Sequence, residues 1–399
     1  MSAGWRTVTP VLVFPRAHQR GGVERMVWQA LKAFAERGPV CFVGTDIDPP
    51  IPGVRHLAVA GPRRSSALEP FLFRVRAARE IRRAAPDPSV TVTFGANCPP
   101  GDVKVANSVH RAWLARGHPA LVRGRAVPNS VRRLLPRHRV LLAVERSYFR
   151  AGGIIVVVAD QLKSDVNEFY GVDPSAAVTI HNGYSAAQCS PERRAANRDE
   201  MRREWGIGPD DVALLMVANE LHRKGFATLV EAVALVGEPR LQVHLVGKAS
   251  PEGFTRRIAE LGLQGRVHYH GSVDIGLAHA AADALVLPTQ YEAFALTIVE
   301  GLASGLPVVT TTVPGAGDRI EHGVSGLLCQ NPTDATELAG CLRQLLDPAV
   351  RHRLGAAAPA AVADLEWNEV MGQLYDLCQN TWKHPTPTVA LQAARTDTQ

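Results

Sequence analysis

The chain has 399 residues, 46% apolar and 21% charged, with a formal net charge of +6. That is too much chain for one usual core and enough for two layered α/β domains. Its six cysteines, at 41, 98, 189, 329, 341 and 378, show no Cys-x-x-Cys spacing. Neither a signal peptide nor an apolar run of about 18 residues is visible, which argues against a membrane span and for a reducing cytosol. The charge is uneven: residues 1–185 carry 26 Lys/Arg against 13 Asp/Glu, net +13, and the remainder 18 against 25, net −7. The two halves therefore face different partners.

In chain order, Val11–Phe14 reads as a strand, followed by the loop Arg20-Gly21-Gly22-Val-Glu24-Arg25. A helix with Val27, Ala30, Leu31 and Phe34 on one face comes next. Paired glycines let a backbone approach a ligand closely, although a bare Gly-Gly is more often a turn. After the strand Val40–Gly44, Asp46-Ile-Asp48 offers two carboxylates, a pattern too short to specify magnesium or manganese. Arginine alternates with apolar residues in Arg74–Arg83 and again from Arg123 to Arg139, as in segments that lie on anionic lipid or on a solvated helix face. Nucleic acid is disfavoured, because neither aromatic interleaving nor a binding motif accompanies the charge. Between these stretches lies Val105-Ala-Asn-Ser108-Val-His110-Arg111-Ala-Trp113, whose imidazole can both donate and accept a hydrogen bond and changes charge near neutral pH. The buried strand Ile154–Val158, a short helix Gln161–Phe169 and the strand Val178–His181 then lead to the turn Asn182-Gly183. Ser190-Pro191 and the charged run Glu192–Arg203 interrupt the apolar strands, placing a domain boundary near Tyr184–Trp205.

The second half repeats the alternation. The strand Ala213–Val217 ends in a basic turn, Arg223-Lys224-Gly225, before an amphipathic helix, and adjacent cations at a strand's end suit a diphosphate. Val246-Gly247 and His270-Gly271-Ser272 are further candidate contact points for a ligand. The strand Ala284–Leu287 passes through Pro288 into a polar loop holding Glu292, then into a helix over Ala295–Ser304 with Leu296, Val299, Leu302 and Ala303 at helical spacing. Amides at such a helix start, here Phe294, Ala295, Leu296 and Thr297, attract phosphate through hydrogen bonds and the helix dipole. The carboxylates of Glu292 and Glu300 suit hydroxyls instead. The competing reading is a Thr297-x-x-Glu300 capping box with Glu292 a solvated loop charge.

The segment from Glu292 to Glu300 resembles the E-x7-E signature of the retaining glycosyltransferases of family 4. Gly21-Gly22-Val-Glu24-Arg25, Val105–Trp113, Val178–Gly183 and Arg223-Lys224-Gly225 resemble further segments of that family, in its order, from about Val11 to about Leu345. Three departures stand out. The family's Asp after Asn-Gly is replaced by Tyr184-Ser185, an Arg commonly found five or six positions before the Lys is missing at Ala218-Asn219, and Ala293 and Ala295 stand where glycines are common.

The resemblance implies a GT-B fold of two Rossmann-like, doubly wound parallel-sheet domains facing a cleft. The domains would span 1–187 (acceptor) and 188–366 (donor), with a helix at 367–382 crossing back onto the first and a disordered tail at 383–399. It implies transfer of a hexosyl group, with retention, from a UDP-sugar or GDP-mannose to a saccharide, glycolipid or natural-product hydroxyl in cell envelope glycan biosynthesis. Glu292 would bind the donor sugar, Glu300 the ribose, Arg223 and Lys224 the diphosphate, and His110 would lie beside the reaction centre. Gly21, Gly22, Gly271 and Phe294–Thr297 would line the donor site, with no metal and no cofactor. The alternative is a non-catalytic nucleotide-sugar-binding or regulatory subunit. A cytoplasmic protein, in peripheral contact with an anionic inner membrane face through its basic first domain, is the expected setting.

Overall fold

A computed structural model describes residues 8–61, 69–116, 120–122, 125–127, 131, 133–313 and 315–383. The chain divides into two compact units, Met1–Asn182 with Trp367–Gln399, and Gly183–Glu366.

The first unit is built on seven parallel strands in the spatial order Ala177–Thr179, Ile154–Val157, Val103–Ala106, Ser89–Phe94, Thr9–Val13, Val40–Gly44 and Val54–Ala58. The inner strands are apolar runs rather than alternating ones, because helices cover both faces of a parallel sheet. Val11, Leu12, Val13, Phe42 and Val43 are fully buried. The helix Val23–Ala35 buries the anticipated Val27, Ala30, Leu31 and Phe34, together with Met26 and Ala33. Onto it folds the last helix of the chain, Trp367–Lys383. Tyr375 meets Phe34 edge-on at 5.1 Å, and Arg37 donates to Asn368 Oδ1 at 2.9 Å. Of the residues 383–399, expected to form a disordered tail, Lys383 ends the last helix and 384–399 lie outside the described residues.

The second unit has six parallel strands in the order Val267–Tyr269, Leu241–Val246, Val212–Val217, Ala284–Leu287, Val308–Thr311 and Gly326–Cys329. Direction of growth reverses between Val212–Val217 and Ala284–Leu287, the switch point at whose carboxyl edge open α/β sheets bind ligands. The unit begins at Gly183. The charged run Glu192–Arg203 is part of the helix Pro191–Glu204, capped by Ser190 Oγ accepting from Arg193 N at 3.2 Å. No apolar period marks this helix, since Met201 is its one buried residue. It is held by arginines at i, i+4 and i+8: Arg194, Arg198 and Arg202 donate to the carbonyls of Ala280, Ala281 and Ala282, where the helix Ile275–Ala281 ends.

Candidate active site

Two loops meet at the carboxyl edge of the second sheet. After Val212–Val217 the chain turns through Glu220–Gly225 into the helix Phe226–Val236, and after Ala284–Leu287 it runs through Pro288–Ala295. Gly225 joins them. Its φ is +81°, and a Cβ there would stand 2.0 Å from the Pro288 carbonyl oxygen, so only glycine lets the backbones pass this closely. Gln290 N donates to Arg223 O at 2.9 Å, joining the two loops, and Thr311 Oγ1 on the strand Val308–Thr311 anchors the second by donating to Thr289 O at 2.8 Å.

The side chains converge accordingly. Arg223 Nη1 donates to Glu292 Oε2 at 3.0 Å and to the Tyr291 carbonyl at 2.6 Å, while Arg223 Nε reaches Glu220 Oε2 at 3.0 Å. Lys224 Nζ donates to the same Glu292 oxygen. Burial pushes the Glu292 carboxyl up, but Lys224 and Arg223 outweigh it and leave the group below its ordinary range. For Arg223, burial works against the charged form, yet Glu292 and Glu220 raise its pKa. The result is a half-buried carboxylate clamped between two cations.

The helix that follows is Leu296–Ala303, with Ala295 as its N-cap and no side-chain cap. This rules out the capping-box geometry, in which Thr297 would stand at the N-cap rather than inside the first turn. The first intrahelical bond runs from Ile298 N to Ala295 O at 2.9 Å, leaving the amides of Leu296 and Thr297 ahead of it. Thr297 Oγ1 is buried with no hydrogen-bond partner among the described residues. Glu300 is buried at 3% exposure. At the neighbouring strand ends Gly247 N donates to Gly271 O at 2.8 Å, and a Cβ on Gly247 would lie 2.0 Å from the Ala218 carbonyl oxygen. Asn219, where the family's Arg is missing, accepts from Lys248 N at 2.8 Å. A Cβ on Gly271 would meet nothing within 4 Å, so its φ of +68°, not crowding, is what favours glycine there.

The first unit has a cavity of its own, about 680 Å³, lined by Arg16, Glu69, Asn97, Asn107, His110 and Arg137 among others. His110 opens the helix His110–Arg116. It stacks on Trp113 and on His138, with His138 Nδ1 hydrogen-bonded to His110 Nε2 at 3.0 Å. Beneath it Glu145, 3% exposed, accepts from the amides of His110 at 2.6 Å and Arg111 at 3.0 Å and from the Tyr170 hydroxyl. Burial raises the Glu145 pKa. Gly21, with φ +88°, and Gly22, the N-cap of Val23–Ala35, are exposed in the loop after the first strand.

The structure thus brings Arg223, Lys224 and Glu292 into contact, sets Phe294–Thr297 and Glu300 along the next helix, and seats His110 in the first unit's cavity. Asp46 and Asp48 are exposed on a short strand paired with Arg16–His18, and no group of three metal-ligating side chains occurs among the described residues. Glu145, His138 and Glu220 were not anticipated. Glu145 had a faint signal, a carboxylate four residues before the buried Phe149 on the apolar face of the helix Pro136–Arg150.

Paired parallel sheets with charged side chains and a helix start at the carboxyl edge define a GT-B protein. A solved structure of WaaG, a glycosyltransferase involved in lipopolysaccharide biosynthesis, superposes with a TM-score of 0.77 at 21% identity, covering 92% of this chain and 99% of the other. The family models "Glycosyltransferase Family 4" and "Glycosyl transferases group 1" match residues 20–188 and 197–361. The chain belongs to the group 1, family 4 type glycosyltransferases. Among relatives, a D-inositol 3-phosphate glycosyltransferase of Geodermatophilus obscurus is 31% identical over 60% of this chain and 54% of its own length. The lipopolysaccharide glucosyltransferase WaaG of Escherichia coli is 29% identical over 54% of this chain and 59% of its own. The chain therefore spans little more than half the length of these relatives.

Proposed function

We propose that this chain is a metal-independent, retaining glycosyltransferase that moves a hexosyl group from a UDP-sugar or GDP-mannose to a saccharide, glycolipid or natural-product hydroxyl. The observation that carries the reading is the convergence of Arg223, Lys224 and Glu292 beside the uncapped start of the helix Leu296–Ala303. As the bond from the anomeric carbon to the diphosphate oxygen breaks, negative charge grows on the leaving group. Preorganised cations and amides stabilise charge that develops in the transition state. Arg223, Lys224, the Leu296 and Thr297 amides and the unpaired Thr297 hydroxyl supply that stabilisation. In the free protein Glu292 holds the two cations in place. On donor binding the diphosphate takes over as their partner and the carboxylate turns to sugar hydroxyls. Glu300 binds the ribose, and within the first unit Glu145 and His138 hold His110 at its cavity. The new bond forms on the face the diphosphate leaves, and the acceptor proton passes to the departing phosphate oxygen.

For the acceptor we propose an envelope or lipid-linked saccharide, met at the anionic inner face of a membrane. No helix among the described residues is long and apolar enough to cross a membrane. The helix Glu69–Ala84 instead exposes Phe71 and Val75 beside Arg79, Arg82 and Arg83, and Leu134 is 72% exposed. Much of the second basic stretch, including Arg123 and Arg132, lies outside the described residues. Salt-sensitive co-sedimentation with anionic vesicles checks this placement, and indifference to salt and lipid charge contradicts it. The transfer reaction is tested with a panel of nucleotide sugars, with and without EDTA. One donor should raise the melting temperature and be turned over in chelator, while Glu292→Ala should cut turnover by about a hundredfold or more.

A further inference from the structure

A second cavity lies in the second unit, at the other end of the helix that starts the proposed donor site. Gly305 and Pro307, just past the end of Leu296–Ala303, line it, so roughly 12 Å of helix separates the two places. Its volume is about 450 Å³, within the range of roughly 300–1,000 Å³ usual for small-molecule sites. Arg194, Arg198 and Arg351 enter its wall with His352, against one acid, Asp283.

That acid is fully used. Asp283 Oδ1 accepts from Arg198 at 2.5 Å, and Oδ2 accepts from Arg202 at 2.9 Å and from Ala213 N at 2.8 Å. Arg194 reaches only carbonyl oxygens, of Ala282 at 3.1 Å and Gly305 at 3.4 Å. Arg351 likewise bonds only the carbonyls of Leu345 and Leu346. Neither has a carboxylate within ion-pair distance among the described residues, and Arg194 Nε is buried without a partner. Burial, then the charge of Arg198, push the Arg194 pKa down to about 10, with Asp283 opposing the shift and Arg202 adding to it. Helix-end carbonyls take up donors of Arg194, Arg198 and Arg202, and Asp283 offsets part of the charge on Arg194 and Arg351, but neither of these two guanidiniums makes an ion pair and the concavity keeps three arginines against one acid. Guanidinium forks in such a setting match phosphate oxygens.

We propose that this cavity is a binding site for a small phosphorylated ligand, distinct from the diphosphate site at the far end of the helix. The inference does not depend on the transfer reaction. The test is the melting temperature of the full chain in inorganic phosphate against chloride at equal ionic strength. A saturable rise is expected, kept in Lys224→Ala, which disables the other phosphate site. It should need at least about tenfold more phosphate in Arg351→Gln and in His352→Glu, the second an exposed position that leaves the fold intact. No rise, an equal rise with chloride, loss of the rise in Lys224→Ala alone, or an unchanged rise in both cavity variants would each overturn the site.

Discussion

Glu292 takes two cations on one carboxylate oxygen and so fixes the electrostatics of its loop. Its depressed pKa makes the clamp pH-dependent in one direction. A carboxyl below its unfolded value contributes stability that is present above the ordinary carboxylate range and is lost as pH falls through the folded value. Glu292→Gln should therefore cost on the order of 1–3 kcal/mol at pH 7, where Lys224 loses its carboxylate partner and Arg223 keeps only Glu220. It should also flatten the loss of stability in acid, which urea denaturation at neutral pH and near pH 4 would show. Thr297 is the complementary case, a buried hydroxyl with no partner. Thr297→Val removes that unpaired group, so stability should stay within about 0.5 kcal/mol or rise, while the donor dissociation constant should increase several-fold. Equal donor affinity in titration calorimetry would remove Thr297 from the site.

Elements bring together side chains that the sequence keeps apart. The parallel pairing of Leu241–Val246 with Val267–Tyr269 sets His244 opposite His268, and their rings stack at 4.9 Å. His270 accepts or donates at 3.0 Å to His244 and lies 3.7 Å from the Trp205 ring. Burial, then neighbouring imidazoles, lower His244 to about 3 and His270 to about 4. For a depressed histidine the stability is complete above the unfolded value near 6.5 and drains away as pH falls, because the unfolded chain takes up the proton first. Stability should thus decline as pH falls from 6.5 to 5, with a slope that approaches roughly 1.4 kcal/mol per pH unit for each such histidine. His244→Phe should lessen that slope in urea denaturation, and an unchanged slope would show that the stack does not govern it. The helix Pro191–Glu204 makes the same point with arginines, whose role lies in where they reach and not in any period along the chain.

At the scale of the molecule, the last helix closes the first unit although the second unit intervenes in sequence. It covers Phe34 with Tyr375, and its Gln379 donates to Val8 O at 3.1 Å. Deleting residues 367–399 should expose that face and make the first unit the first target of limited proteolysis, whereas resistance equal to the full chain would deny the helix this role. Much of the architecture was legible in the sequence. Buried parallel strands need continuous apolar runs and covering helices need apolar stripes, and these local patterns identify two doubly wound sheets and the loops at their carboxyl ends. The Glu292 and Glu300 spacing, Arg223-Lys224-Gly225 and His110 were legible as site candidates because each belongs to a short stretch of chain that resembles a segment of the family. What stayed hidden is set by residues far apart in the chain: the Arg223–Glu292 contact, the Glu145 carboxylate under His110, and the arginines of Pro191–Glu204 turned toward Ala280–Ala282. Sequence determined the strands, the helices and the chemistry available at their ends. Only the tertiary structure decided which charges share a partner and which are left without one, because burial and pairing depend on which distant segments the fold packs together.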